Sequence, residues 1–203
     1  MDLLSKLFPG LDLATEGKIP DWGNFQQPWE ILSEEEGGLQ SQIVEFASGR
    51  SGVFIHPTAK IGEGVVIEGP CYIGENAEVR HSAYIRKGSW ICFGAIVGHS
   101  SEVKNSIMLP NAKAPHFNYV GDSILGFDVN LGAGTKLSNV RNDRMEVGVF
   151  LEGGVRVDSK MKKLGALVGD GSHLGCNVVT NPGAIMMPGT MVRPNETITG
   201  WKG

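Results

Sequence analysis

Arg86 and Lys104 stand eighteen residues apart, as do His81 and His99, and His116 follows in the segment PHFNYVGDS. A guanidinium is a planar fork of donors and an ammonium a compact charge, so two such cations stacked on one face can hold a phosphate group. The plain alternative is a pair of solvated surface charges. Imidazoles titrate near neutrality, which suits His116 to general-base work; otherwise it is a surface histidine on a loop. Cys71, Cys92 and Cys176 are odd in number and lack C-x-x-C spacing. This argues against a disulfide framework and a cysteine zinc site, and favours a reducing, cytoplasmic setting.

Eighteen is three times six, and the elements that must position these residues repeat with that period. Every sixth residue from Ile55 to Leu109 is aliphatic: Ile55, Ile61, Ile67, Ile73, Val79, Ile85, Ile91, Val97, Val103 and Leu109. Glycine follows at Gly62, Gly74 and Gly98, and small residues such as Ala59, Cys71, Ala77 and Ala83 precede by two. The column resumes at Leu125, Leu131 and Leu137, and again at Val168, Leu174, Met186, Val192 and Ile198, broken only by Thr180. A three-sided coil of eighteen residues explains this: aliphatic side chains fill the interior, small residues sit beside them and glycine permits the tight turn.

The prediction is an all-β chain, a parallel β-helix over residues 53–203, with residues 1–52 as a short N-terminal cap of helices or extended pieces. A solenoid whose coils touch only their neighbours needs such protection. The phase shifts near 110–119, implying that PNAKAPHFNY leaves the coil. Residues 138–165 form an insertion in which VGVFLEGGVRV alternates like a protruding β-hairpin. Loops on a rigid scaffold are where binding chemistry usually sits.

Composition excludes several classes. Net charge is −4 and no basic run exceeds Lys162-Lys163, so no nucleic-acid footprint is present. No apolar run of membrane length occurs, and the N-terminus lacks a signal-peptide pattern. A soluble, cytoplasmic protein with small-molecule partners is expected. The 29 glycines fit the turns of the coil.

The aliphatic-Gly-x-x-small-x hexapeptide resembles the left-handed β-helix family, from which the hand is taken. The stretch from Glu102 to Val140, with PHFNYVGDS and NLGAGT, resembles the acetyltransferase domain of bifunctional glucosamine-1-phosphate acetyltransferase/N-acetylglucosamine-1-phosphate uridyltransferase. With KKLGALVGDG it is closer still to the C-terminal half of archaeal-type sugar-1-phosphate nucleotidyltransferases. Residues 1–50 show no Gly-rich nucleotide loop, so the acyl-transfer half alone is expected.

The resemblance implies an acetyl-CoA-dependent N-acetyltransferase acting on an amino-sugar phosphate such as glucosamine 1-phosphate, assembled as a homotrimer with sites between subunits and needing no metal. It implies His116 as catalytic base, Arg86 and Lys104 on the phosphate, and Tyr119, Asn130 and Asn139 on the sugar. The backbone N–H of Ala133 would face the thioester of acetyl-CoA, and Cys176 would line the CoA site without acting as a nucleophile. The chain departs from the family pattern at Pro115, Val140, Met145 and Gly148. Two other readings stand beside this one: a non-catalytic β-helix that binds a sugar phosphate or a protein, and a zinc carbonic anhydrase resting on His81, His99 and His116.

Overall fold

The computed structural model describes residues 2–13, 17–23, 25–47 and 52–203. Short strands of two to four residues stack in register into three parallel sheets, of eight, seven and seven strands among the described residues. The first face runs from Val53–Ile55 to Trp201–Lys202, the second from Lys60–Ile61 to Met191–Val192 and the third from Val66–Ile67 to Thr197–Ile198. Together they make the three-sided hexapeptide-repeat solenoid read from the period.

Alternation within each strand sends one set of side chains inward and the other outward. On the first face Ile73, Ile91, Met108, Leu125, Val168 and Met186 point into the shaft, with Val79, Val97, Ala114 and Leu131 from the second and Ile85, Val103, Val120 and Leu137 from the third. Thr180, where the column breaks, is fully buried, and its hydroxyl has no protein partner.

Glycines such as Gly94 and Gly134 take the left-handed turns expected of them, but Gly62, Gly74 and Gly98, which follow the aliphatic column, do a different job. Gly98 has no positive φ; a Cβ there would stand 1.6 Å from the Pro115 carbonyl oxygen. It lets the next rung approach, and the left-handed turn falls two residues later, at Ser100 with φ 52°.

PNAKAPHFNY does not leave the coil. Lys113–His116 is a strand paired to Ile96–His99 and Asn130–Leu131. The phase shift comes from two coils of seventeen residues: Ile91 pairs with Met108 and Met108 with Leu125. The interior residue is thus Met108, while Leu109 belongs to a second apolar cluster outside the shaft. Losing one corner residue leaves every in–out alternation intact, whereas slipping a strand by one would turn its core set to solvent.

That second cluster lies on the outer side of the first face. Phe54, Tyr72, Trp90, Ile107, Ile124, Leu167, Ile185 and Trp201 form one outward row. The N-terminal segment covers it, through helices Leu3–Leu7 and Leu39–Phe46 and a 3-10 turn at Pro28–Leu32. Trp90 is fully buried, stacks on Tyr72 at 4.5 Å and donates from Nε1 to the Lys18 carbonyl. The segment therefore caps a side of the solenoid, and Ile55 and Ile61 in the first coil remain 39% exposed.

Between Leu137 and Ala166 the chain makes the antiparallel hairpin Gly148–Phe150/Arg156–Asp158. Val147 and Val149 are buried in the same outer cluster, so one side of the hairpin lies back against the first face. No helix among the described residues is long and apolar enough to cross a membrane.

Candidate active site

Rung-to-rung pairing puts His81, His99, His116, Ala133 and Cys176 in one column at the corner between the second and third faces. His116 pairs in register with His99, and the His81 and His99 rings stack at 4.2 Å. Gly134 N–H donates to the His116 carbonyl at 3.1 Å, and Asn177 N–H to the Ala133 carbonyl at 2.8 Å. The Ala133 N–H meets no acceptor among the described residues. The His116 side chain is exposed, as is Cys176.

Asn118, buried at 2% exposure, holds this corner in shape. Its Oδ1 accepts from His116 N–H at 2.9 Å and its Nδ2 donates to the Gly132 carbonyl at 2.8 Å, closing the turn at Phe117, where φ is 38°. The signal was in the motif: an Asn side chain bonding backbone two residues away is a common turn device. The 55% exposed Phe117 ring packs over Gly134, where a Cβ would come within 2.9 Å.

The other sequence-predicted residues flank this corner. Asn130 points outward on the second face, between Lys113 and His173. Tyr119 lies on the third face between Glu102 and Lys136, half-buried, its hydroxyl donating to Asn139 Oδ1 at 3.4 Å. Burial raises its pKa above the usual phenol value, and the charges of Glu102 and Asp122 add to that.

Arg86, Lys104 and Asn139 stand at the far end of the third face. His116 and Asp122 bound that strand, and six residues span at most about 20 Å. Arg86 and Lys104 occupy adjacent rungs, yet each has turned to a carboxylate. Arg86 donates to Glu102 at 2.8 Å, which raises the guanidinium pKa further. Lys104 donates to both oxygens of Asp122 at 3.0 and 2.8 Å, with side-chain exposures of 12% and 3% for the pair. Asn105 Nδ2 donates to Asp122 Oδ1 at 3.0 Å and Asn139 Nδ2 to Asp122 Oδ2. Asp122 is thus the hub of this corner, and the sequence reading gave it no such role.

One chain presents two clusters joined by Tyr119: an exposed imidazole one rung from a backbone N–H with no acceptor among the described residues, and a carboxylate-tied cationic corner. Among the described residues no group of three or more His, Cys, Asp or Glu side chains is arranged to hold a metal ion.

The chain's family follows from residues 67–200, which match the model of the GMPPB C-terminal domain. The chain belongs to this family. Similar proteins include a bifunctional sugar-1-phosphate nucleotidylyltransferase/acetyltransferase of Sulfurisphaera tokodaii, 35% identical over 84% of this chain and 46% of that one. The bifunctional protein GlmU of Methanococcus vannielii is 36% identical over 97% of this chain and 47% of its own length. The chain spans less than half the length of these two relatives. The uncharacterized acetyltransferase YaiX of Escherichia coli is 34% identical over 98% of this chain and 91% of its own. The family resemblance carried by PHFNYVGDS, NLGAGT and KKLGALVGDG is borne out.

Proposed function

We propose that the protein is an acetyl-CoA-dependent N-acetyltransferase whose acceptor is an amino-sugar phosphate such as glucosamine 1-phosphate. The observation that carries this is the corner column, in which the exposed imidazole of His116 lies one rung from the Ala133 N–H, which has no acceptor among the described residues, and two from Cys176. Names of similar proteins that include acetyltransferase activity support it.

In this reading the acceptor nitrogen attacks the thioester carbonyl while His116 accepts the proton it sheds. The Ala133 N–H donates to the oxygen on which negative charge develops. The carbon–sulfur bond then breaks, His116 returns the proton to sulfur, and coenzyme A departs as the thiol. Tyr119 and Asn130, on either side of the corner, orient the sugar. A homotrimer supplies the remaining walls of each site from a neighbouring subunit.

The test is acetylation of glucosamine 1-phosphate by the native chain and by His116→Ala, expected to lower kcat by about 10²–10⁴-fold. Undetectable activity in the native chain, or activity unchanged in the variant, refutes the reading. The ion pairs already made by Arg86 and Lys104 favour the competing one, a non-catalytic binding scaffold, which would give no acetylation.

A further inference from the structure

The cations first read as phosphate holders are neutralised in place, by Glu102 and Asp122. Uncompensated positive charge gathers next to them. A cavity of about 480 Å³ opens beside Lys104 and Asn105, lined also by Lys87 and by Lys160, Lys162 and Lys163 on the return from the hairpin. None of these four lysines makes an ion pair among the described residues. Two carboxylates border the cavity: Asp122, committed to Lys104, and Glu34, exposed on the N-terminal segment.

The backbone that carries these lysines is fixed from several sides. Lys163 bridges to Val140, and Leu164 N–H donates to the Asn139 carbonyl at 2.9 Å. Lys160 N–H donates to Asp158 Oδ1, and Val147 N–H to the Met161 carbonyl. The Lys87 carbonyl accepts from Asn105 N–H, while Asn105 Nδ2 also donates to the Leu32 carbonyl and Gln40 donates to Asn105 Oδ1. Coil, hairpin return and N-terminal segment meet here, so the backbone that carries the lysines is held around one cavity.

We propose that this cavity binds a diphosphate. Four free ammonium groups against one exposed carboxylate leave about three positive charges, more than a phosphate monoester balances at about −1.5 to −2. A diphosphate supplies the further charge, and more oxygens for Lys87 on the coil and the three lysines of the hairpin return. The proposal goes beyond the acetyltransferase reading: a diphosphate-bearing ligand would be held here, at the opposite corner of the third face from His116. Binding itself does not depend on that reading.

The experiment is calorimetric titration of the full chain, without acetyl-CoA, with inorganic pyrophosphate, orthophosphate and uridine diphosphate at low salt. Pyrophosphate should bind about tenfold or more tightly than orthophosphate. The double variant Lys160→Gln/Lys162→Gln should lose about tenfold or more of pyrophosphate affinity while its Tm stays unchanged. Uridine diphosphate binding as tightly as pyrophosphate supports the proposal with a nucleoside diphosphate as the source; pyrophosphate alone supports it with a terminal diphosphate. Equal affinity for pyrophosphate and orthophosphate, or pyrophosphate affinity unchanged in the double variant, overturns it. Because acetyl transfer is not measured, its absence would leave this result standing, and the reverse holds too.

Discussion

Lys104 lies one rung below Asp122 and donates to both of its carboxylate oxygens, at 3.0 and 2.8 Å, where neither side chain has much access to water. Removing one partner of a buried pair leaves the other charge desolvated and uncompensated, which costs more than the pair contributes. Asp122→Asn also disturbs the acceptors used by Asn105 and Asn139. Its expected effect is a loss of about 3 kcal/mol in urea unfolding. A loss below about 0.5 kcal/mol would show that water reaches the pair and screens it.

Trp90 joins the N-terminal segment to the solenoid. It stacks on Tyr72, meets Phe46 edge-on at 5.8 Å and donates to the Lys18 carbonyl. Trp90→Ala should cost about 3–5 kcal/mol. It should also expose the N-terminal segment to limited proteolysis before the coils are cut, because each coil is held by its neighbours. Simultaneous digestion of both parts would show that the segment and the solenoid unfold together.

The solenoid was legible because its interior repeats in sequence as it does in space. The period failed where two answers fit equally: Met108 and Leu109 are both apolar, and only the pairing of Ile91 with Met108 decides between them. The outward row Phe54, Tyr72, Trp90 keeps the same eighteen-residue spacing, yet its meaning depends on a partner, the N-terminal segment, that has no period of its own. At the site, His116 and Tyr119 were read from the motif PHFNYVGDS and Ala133 from NLGAGT, while Asn118, which shapes the corner, was not. The ion pairs of Arg86 and Lys104 were not, since spacing places residues on adjacent rungs without saying toward which carboxylate they turn. The lysine cavity was further out of reach: Lys160 to Lys163 come to Lys87 and Lys104 only through the return path of the hairpin.

The three thiols should differ sharply in reactivity. Cys71 and Cys92 are fully buried; burial pushes the Cys71 thiol up to about 12 and the Cys92 thiol higher still. The thiolate is the reacting form, so both should be inert in the native fold. Cys176 is exposed. A disulfide-exchange reagent should therefore modify Cys176 alone, with the other two reacting after denaturation. If Cys176 borders the coenzyme A site, added coenzyme A should slow that modification in proportion to occupancy. Labelling indifferent to coenzyme A would remove Cys176 from the site.

Asp170 gives the fold a pH dependence of definite sign. Its carboxylate accepts from Gly10 N–H at 2.8 Å and Phe127 N–H at 2.9 Å, tying the N-terminal segment to a corner of the coil. Burial raises its pKa above the ordinary 3.8, an effect the two N–H donors only partly offset. A carboxyl whose folded-state pKa is raised binds more protons folded than unfolded, so its contribution is fully present below the unfolded value and declines as pH rises through the folded one. Asp170→Asn removes that titration. The stability of the native chain minus that of the variant should be largest below about pH 4 and fall as the pH climbs above it. Paired urea titrations at pH 3, 5 and 7 measure the difference. A difference that grows with pH would mean that the two N–H donors outweigh burial, and that the ionised carboxylate holds the segment in place.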